Sequence, residues 1–309
     1  MEQIKRAIIT GATGSIGVAL IKKLIEHNIE VLCFCRYGSS RNKNIPVDNL
    51  VTVKYCDLSE LYKVENDESK EYDIFYHFAW QGTTGESRND MYLQNQNVKY
   101  ALDAVGVAKR FGCKRFIGAG SQAEYGRSNK PLNSITPTFP ENGYGMAKLC
   151  AGQMTREYAR QLGMEHIWTR ILSVYGPYDS QDTMVISLIH KLINNETPNL
   201  TKGEQIWDYL YNEDAANIFY LLGEKGVDGK TYVVGSGEGR KISSYVNEIK
   251  KIVNDKANIN FGAIPYSEKQ VMHLVADISD LNKDLGFIPQ VTFSEGIKKI
   301  VGDIKYDKK

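Results

Sequence analysis

The stretch Thr10-Gly11-Ala12-Thr13-Gly14-Ser15-Ile16-Gly17 decides the fold, because it places three glycines at regular spacing between a short β-branched run and a helical pattern. Gly11 allows a tight turn, Gly14 lets a pyrophosphate approach the backbone, and Gly17 allows the helix to pack closely on the sheet. The helix that follows would direct free N–H groups and the positive end of its dipole at the phosphates. The stretch therefore predicts a phosphate-binding turn between a first strand and a first helix.

The rest of the first half alternates short apolar strands with longer helical patterns. The predicted strands cover residues 7–10, 30–35, 50–55, 74–78, 115–119 and 166–172, and helical spacing of apolar residues is clear at 16–25 and 98–108. Strands separated by helices in this way form right-handed crossovers in a parallel sheet. The sequence therefore predicts an α/β fold with a Rossmann-like, doubly wound parallel sheet.

The pattern becomes less regular after about residue 175. Helices are predicted at 185–193 and 214–222, a strand at 231–234, and two or three helices after residue 243. We expect a dinucleotide-binding domain over residues 1–175 and a smaller C-terminal α/β substrate domain over residues 176–309. Segments near residues 206–240 are expected to return to the first domain.

Composition narrows the class of protein. The 309 residues carry 38 Lys and Arg against 37 Asp and Glu, so the net charge of +1 gives no bias towards nucleic acid or an anionic membrane. A mean hydropathy of −0.37 argues against a membrane span, and the first six residues lead straight into a strand rather than into a secretory leader. Five cysteines, an odd number, favour reduced thiols. We expect a cytoplasmic protein without nucleic-acid or membrane partners.

A second motif, Tyr144-Gly145-Met146-Ala147-Lys148, is the only Tyr-x-x-x-Lys in the sequence. On a helix, a tyrosine and a lysine four residues apart lie on the same face. The segment Gly120-Ser121-Gln122-Ala123-Glu124-Tyr125-Gly126 follows the predicted strand 115–119 and contains Ser121. Taken alone, such a serine is commonly a turn residue, and the alternative for the pair is an exposed position on an amphipathic helix. Together, the hydroxyl, the phenol and the ammonium predict a site for proton transfer.

With its G-x-x-G-x-x-G turn, its S-x-x-x-Y-G segment and its Tyr-x-x-x-Lys in this order, the chain resembles the extended branch of the short-chain dehydrogenase/reductase superfamily. The resemblance covers essentially the whole chain and points to the NAD-dependent epimerases and dehydratases of nucleotide sugars. It implies that Ser121, Tyr144 and Lys148 are catalytic. Tyr144 would exchange a proton with a sugar oxygen that Ser121 also contacts. The Lys148 ammonium and an oxidised nicotinamide would lower the pKa of Tyr144 from its usual ~10.

The resemblance also implies which residues bind the dinucleotide. They lie in the glycine-rich turn, at the ends of the second, third and fourth strands, and in the Tyr-x-x-x-Lys helix. They are Gly11, Thr13, Gly14, Ser15, Ile16, Gly17, Arg36, Asp57, Leu58, Phe78, Ala79, Tyr144 and Lys148. After the fourth strand the family usually has an apolar residue and two alanines, and Trp80 replaces the second alanine. We therefore expect different surroundings for the cofactor at Trp80.

The end of the second strand bears on the choice of cofactor. Enzymes that prefer NAD place an Asp or Glu there to accept a hydrogen bond from the ribose 2′-hydroxyl. Here that position is Cys35, and Arg36 follows it. A 2′-phosphate would meet no carboxylate and could pair with Arg36, helped by Arg41 or Lys43. The alternative is that Arg36 stacks on the adenine of NAD. The sequence favours NADP(H), with NAD(H) left open.

Two positions argue against dehydration of the sugar. Nucleotide-sugar 4,6-dehydratases carry an Asp-Glu pair immediately after the catalytic Thr or Ser, whereas this sequence has Gln122 and Ala123. The acid and base that remove water across carbons 5 and 6 are therefore missing. Glu124 is one position away and could replace them only if the loop were shifted.

The second half resembles nucleotide-sugar enzymes in three segments, which are residues 170–177, 203–209 and 261–267. The resemblance implies that Gln122, Ser173 and Trp207 contact the substrate. Trp207 and Ser267 replace arginines that hold the diphosphate in relatives. Lys202 and Lys269 are candidate replacements for those arginines.

These observations predict an NAD(P)-dependent oxidoreductase of a nucleoside-diphosphate sugar, which the resemblance also allows to form a homodimer. The favoured reaction is reduction of an NDP-4-keto-6-deoxyhexose at carbon 4, as in CDP-abequose and paratose synthases. The alternative is a 4-epimerase of an NDP-hexose of the UDP-glucose or UDP-N-acetylglucosamine type, with tightly held NAD. A non-catalytic dinucleotide sensor is the alternative from a different class. The five histidines lack metal-ligand spacing, so no metal is expected.

Overall fold

A computed structural model describes residues 3–67 and 69–306 of the chain; the outermost residues of both predicted domains and residue 68 lie outside this range. The strands are β1 (Arg6–Thr10), β2 (Glu30–Cys35), β3 (Val51–Tyr55), β4 (Ile74–His77), β5 (Arg115–Ser121), β6 (Glu165–Ile171), β7 (Ser173–Tyr175), β8 (Asn199–Leu200), β9 (Ile206–Trp207), β10 (Tyr209–Tyr211), β11 (Thr231–Val234), β12 (Arg240–Lys241), β13 (Asn260–Phe261) and β14 (His273–Leu274). The α-helices are α1 (Ser15–Glu26), α2 (Met91–Arg110), α3 (Gly143–Gln161), α4 (Met184–Ile193), α5 (Asn212–Lys225), α6 (Ile242–Val253), α7 (Ser279–Leu285) and α8 (Phe293–Tyr306).

The large sheet confirms the predicted architecture. Within the described residues it has seven parallel strands in the order β11-β6-β5-β4-β1-β2-β3. The strand order reverses between β1 and β4, which are adjacent although two strands separate them along the chain. Ligands of such sheets bind outside the carboxyl ends of the strands at this point of reversal. The glycine-rich turn, which follows β1, lies there.

Both faces of the sheet are covered, which is why its strands are apolar on both sides. Ile9 packs in one buried cluster with Leu20 of α1 and Phe219 of α5. Its neighbour Ile8 points the opposite way, into a second cluster that includes Val105 of α2. Alternate residues of β1 thus support opposite helical layers, as the alternation of side chains along a strand requires.

β11 joins the large sheet although it lies far along the chain. It pairs in parallel with β6, with Thr231 opposite Trp168 and Val234 opposite Ile171. The other strands of the second half form short two- and three-stranded sheets within the described part. An aromatic and aliphatic core holds α4, α6 and α8 together there, and its members include Tyr245 and Phe293.

Candidate active site

The glycine-rich turn has the geometry that a pyrophosphate needs. Gly11 has a positive φ of 74°, and a Cβ there would lie 2.8 Å from the backbone nitrogen of Ala79. A Cβ on Gly17 would lie 2.4 Å from the carbonyl oxygen of Gly11, so α1 approaches the turn as closely as predicted. At Gly14 the nearest atom is 3.6 Å away, which leaves room beside the backbone. Among the described residues no side chain caps the first turn of α1, so its N–H groups can take a phosphate.

Two asparagines that the sequence analysis did not identify brace this turn. Asn212, the first residue of α5, donates from Nδ2 to the hydroxyl oxygen of Ser15 at 3.1 Å. Asn44 donates from Nδ2 to the carbonyl oxygen of Thr13 at 3.2 Å. Both contacts join residues far apart in the chain, so no local pattern signals them. They hold Thr13 and Ser15 in the turn from two sides.

The end of β2 presents cations to the solvent. Cys35 is buried, whereas Arg36, Arg41 and Lys43 are exposed. Arg41 donates to the carbonyl oxygen of Tyr178 at 2.9 Å. The carboxylate of Asp57, after β3, accepts from the backbone N–H of Ser59 at 3.0 Å and from its hydroxyl at 2.8 Å. These bonds and the Arg36 charge lower the pKa of Asp57.

The structure brings Ser121, Tyr144 and Lys148 together. Ser121 ends β5 and is buried, and α3 carries the other two side chains, which are also buried. The Lys148 amine donates to the carbonyl oxygen of Ala119 at 2.6 Å and lies 5.8 Å from the centre of the Tyr144 ring. The Ser121 oxygen accepts from the N–H of Ala123 at 3.2 Å. Asn142 directly precedes α3, and its side chain caps the helix by accepting from the N–H of Gly145 at 2.8 Å.

Burial controls the ionisation of these groups. It lowers the pKa of Lys148 to about 7, against the charge of Glu124, which raises that pKa. Burial also raises the pKa of Tyr144, while the Ser121 side chain and the Arg88 charge act to lower it. The lowered Tyr144 pKa expected from the sequence is therefore not produced by these side chains, because the loss of solvation outweighs them. The protein itself keeps Tyr144 protonated at neutral pH.

The loop after β4 packs over the Tyr144–Lys148 pair. The Trp80 indole N–H donates to Oε1 of Gln94 at 2.9 Å, and the Lys148 amine lies 3.8 Å from the centre of the Trp80 ring. The rings of Trp80 and Tyr144 meet edge to face at 6.2 Å. The Arg88 guanidinium lies 4.3 Å from the centre of the Tyr144 ring. Trp80 thus lies against both Tyr144 and Lys148, and the contact of Arg88 with Tyr144 carries no signal in the sequence.

The segment after Ser121 offers no carboxylic acid where the dehydratases have two. Gln122 is half-buried and Ala123 is buried. Glu124 is fully buried, and its carboxylate accepts from Nε of Arg170 at 2.8 Å. Its side chain is therefore engaged in the interior and does not replace the missing pair.

The predicted substrate contacts lie in the second half of the chain. The Trp207 indole N–H donates to the hydroxyl oxygen of Ser173 at 2.7 Å, so the structure joins these two predicted residues directly. In the β9–β12 pair, Arg240 lies opposite Trp207, and its guanidinium forms an ion pair with Glu248. No spacing in the sequence signals Arg240, because only the strand pairing brings it to Trp207.

The lysines proposed as replacements for the missing arginines have other neighbours. A Cβ on Gly262 would lie 3.7 Å from the Lys202 side chain, and the Lys269 charge acts on Glu141. Ser267 is exposed. The contacts that the structure gives these residues do not join them to Trp207.

Two further findings concern residues 3–67 and 69–306 only. In that part of the chain no helix combines the length and the apolar character needed to cross a bilayer. The same residues contain no group of three or more His, Cys, Asp or Glu side chains arranged to hold a metal ion.

Comparison with known proteins finds relatives whose names describe enzymes of nucleotide sugars. The chain is 27% identical to a putative UDP-glucose 4-epimerase of Methanocaldococcus jannaschii over 96% of this chain and 98% of that protein. It is also 27% identical to a dTDP-4-dehydro-6-deoxyglucose reductase of Escherichia coli, over 96% and 97%. A crystal structure of a UDP-glucose 4-epimerase from Thermotoga maritima with UDP-glucose superposes with a TM-score of 0.88 at 22% identity, covering 98% of this chain and all of that one. At that identity the superposition shows the fold.

The family comparison decides the class of protein. The model of the NAD dependent epimerase/dehydratase family matches residues 7–235, which include the glycine-rich turn, Ser121 and the Tyr144–Lys148 pair. This match covers most of the chain, and it agrees with the parallel sheet and with the resemblance noted in the sequence. The chain therefore belongs to the NAD-dependent epimerase/dehydratase family and is an enzyme of the extended short-chain dehydrogenase/reductase class.

Proposed function

We propose that the chain is a nucleotide-sugar oxidoreductase in which Ser121, Tyr144 and Lys148 carry proton transfer at the oxygen on carbon 4. One observation carries the proposal: the three side chains are buried together at the carboxyl end of β5. A nicotinamide cofactor, when bound, supplies or accepts the hydride at the sugar carbon. The contacts with the cofactor would come from the dinucleotide-binding residues that the sequence predicts.

Each side chain has a separate task in this proposal. Tyr144, which burial keeps protonated, donates its proton to the sugar oxygen in the direction of reduction. The Ser121 hydroxyl binds the same oxygen and orients it. An ammonium on Lys148 favours the phenolate that remains on Tyr144 after the proton has left. The reverse transfer serves oxidation, because the same groups then act as base and hydrogen-bond donor.

The favoured reaction is reduction of an NDP-4-keto-6-deoxyhexose at carbon 4. Gln122 and Ala123 support it by removing the acid pair of the dehydratases. The cations after β2 support it as well, since a reductase draws on a pool of NADPH and exchanges its cofactor in every turnover. The similarity to a dTDP-4-dehydro-6-deoxyglucose reductase over nearly the whole chain agrees with this reaction.

An assay with matched substrates tests the reaction. The purified chain is given dTDP-, CDP-, UDP- and GDP-linked 4-keto-6-deoxyhexoses with NADPH, and absorbance at the nicotinamide band is followed. We expect NADPH to be consumed in equal amount to the sugar with at least one of the bases. A Tyr144→Phe variant in the same assay separates enzymatic from uncatalysed loss.

The second candidate is 4-epimerisation of an NDP-hexose with a tightly held NAD. It is supported by the similarity to a putative UDP-glucose 4-epimerase, and it needs the same three side chains. Incubation of UDP-glucose and UDP-N-acetylglucosamine without added cofactor distinguishes it. Interconversion of the carbon-4 epimers there, with no NADPH consumption on the keto sugars, would favour epimerisation over reduction.

The remaining parts of the proposal concern organisation. Residues 1–175, together with β11, would hold the cofactor, and residues 176–309 would hold the nucleotide sugar through Ser173 and Trp207. We also propose a homodimer, for which the outer surface of α3 offers the half-exposed side chains of Met146 and Met154. Light scattering at several protein concentrations tests it, with a mass of one chain at all concentrations as the contrary result.

A further inference from the structure

An ion pair lies in the interior directly beneath Ser121. Glu124 is fully buried, and Arg170 of β6 is 8% exposed. Nε of Arg170 donates to Oε2 of Glu124 at 2.8 Å. The Trp168 indole N–H donates to Oε1 of the same carboxylate at 3.0 Å. Both carboxylate oxygens of Glu124 are therefore held by side chains of β6.

The same carboxylate reaches back to the serine. The backbone N–H of Ser121 donates to Oε1 of Glu124 at 2.8 Å, and the N–H of Ala123 donates to the Ser121 oxygen at 3.2 Å. These two bonds form a reciprocal capping box around a single 3₁₀ turn, Gln122–Glu124. The direction of the Ser121 side chain thus depends on where the Glu124 carboxylate is held.

The surrounding backbone is shaped for this network. A Cβ on Gly120 would lie 2.2 Å from Oε1 of Glu124, and a Cβ on Gly118 would lie 2.2 Å from the Trp168 ring. On the other side, a Cβ on Gly152 of α3 would lie 2.7 Å from the same indole. Trp168 therefore lies between glycines of β5 and of α3, and it sets the distance between the strand that carries Ser121 and the helix that carries Tyr144 and Lys148.

The network also carries a charge into the site. Burying a carboxylate costs free energy of folding even when it is paired. Apolar side chains of the same volume would often give a fold that is equally stable. The titratable groups that face Lys148 are Tyr144 on its own helix, His77 from β4 and Glu124 after β5. Of these, Glu124 supplies the negative charge that favours an ammonium on Lys148. Burial raises the pKa of Glu124 itself, and the Arg170 charge and the hydrogen bonds from Arg170, Ser121 and Trp168 act to lower it.

We propose that Glu124 is a positioning residue, which fixes the backbone of Ser121 so that its hydroxyl faces Tyr144 and whose charge favours the ammonium of Lys148. This inference rests on the proposed function of Ser121, Tyr144 and Lys148. Glu124 itself does not touch the substrate in this proposal. Arg170 and Trp168 serve it by holding the carboxylate in place.

The decisive variant is Glu124→Gln, which keeps the shape and removes the charge. We expect kcat to fall about 10- to 100-fold, because a small misplacement of a reacting group costs that much, with KM and cofactor affinity within about twofold of wild type. Loss of the negative charge lowers the pKa of both Lys148 and Tyr144. The alkaline limb of the kcat profile against pH should therefore move to lower pH.

A matched control lies at the other end of the same two strands. Arg115 of β5 is buried and pairs with Glu165 of β6, with Nε donating at 2.7 Å. Glu165→Gln removes an ion pair between the same two strands, whose carboxylate is partly exposed, at the end away from Ser121. We therefore expect at most a modest loss of stability, without a change in kcat or in the alkaline limb. Glu124→Asp keeps the charge, so the position of the alkaline limb should be retained although kcat is reduced. The Asp variant also carries the test if the Gln variant does not fold.

Three results would each overturn the inference. The first is a Glu124→Gln enzyme with the kcat and pH profile of wild type, and the second is a Glu124→Asp enzyme whose alkaline limb moves to lower pH. The third is an equal loss of kcat in Glu124→Gln and Glu165→Gln with an unmoved limb, which would make the ion pair merely structural. The proposed function fails by a different result, namely full turnover by Tyr144→Phe.

Discussion

Nδ2 of Asn212 donates to the hydroxyl oxygen of Ser15 at 3.1 Å, which joins the first residue of α5 to the first residue of α1. Asn212 is buried, and within the described chain its Oδ1 has no hydrogen-bond partner. The contact fixes the start of α1 at the place where the N–H groups of its first turn are available to a phosphate.

Replacement of Asn212 by Ala should therefore weaken the binding of the dinucleotide. One hydrogen bond contributes about 0.5–1.5 kcal/mol, so the dissociation constant should rise roughly 2- to 10-fold. Fluorescence titration with the reduced cofactor measures it. Asn254→Ala, which removes a hydrogen bond to the Leu192 carbonyl oxygen away from the turn, is the control and should bind normally.

Replacement of Tyr144 by Phe tests the proton donor. The variant lacks the hydroxyl but keeps the ring that packs against Trp80 and Arg88, so cofactor affinity should be unchanged. Turnover should fall at least ~10²-fold, the usual contribution of a positioned acid. Tyr158→Phe, on the same helix, should retain wild-type turnover in the same steady-state assay. A fully active Tyr144→Phe enzyme would remove Tyr144 from the mechanism.

Replacement of Arg36 by Ala tests the choice of cofactor. If the guanidinium pairs with a 2′-phosphate, NADPH should bind at least about tenfold more weakly and NADH should be unaffected, since charge-assisted hydrogen bonds contribute about 1.5–3 kcal/mol. Calorimetric titration of both cofactors gives the comparison. Lys23→Ala, a cation on α1, is the control. Equal or tighter binding of NADH by the wild type, unchanged in Arg36→Ala, would contradict the proposal.

Replacement of Lys148 by Met should stabilise the fold in a pH-dependent way. Burial lowers the Lys148 pKa to about 7 from 10.5. The unfolded chain therefore binds more protons between these pH values, and the contribution of Lys148 to stability rises with pH across that window. Urea unfolding should show the variant to be more stable than wild type near about pH 6.5, with the difference shrinking towards about pH 10. A difference that does not depend on pH would contradict a lowered pKa.

The sequence was sufficient for the parts of the fold that depend on local patterns. The strands at 30–35 and 231–234 have the bounds that the sequence predicts, and the glycine-rich turn lies where the sequence places it. Both are predictable because the spacing of glycines and the period of apolar residues depend only on residues close together in the chain. The protein's own groups raise the pKa of Tyr144 rather than lower it, because burial is a property of the folded chain that no local pattern reveals.

The contacts that the sequence could not supply all join distant residues. Trp80 meets Lys148, Arg240 lies opposite Trp207, and Glu124 pairs with Arg170 across neighbouring strands. Each pair depends on strand order or helix packing, so no spacing along the chain reveals it. Trp80 departs from the family pattern in the sequence, but only the packing of the loop after β4 places it over Lys148.

The position of β11 has a consequence for how the protein is made. During synthesis, the first six strands of the large sheet leave the ribosome before Thr231–Val234. Until β11 is made, β6 is an apolar edge strand without a partner on one side. Such edges can pair with other chains, and contacts between residues far apart in sequence slow folding. A nascent chain stalled before residue 231 should therefore be more prone to aggregate than the finished one. Completion of the large sheet is, in this sense, a late event in the synthesis of the chain.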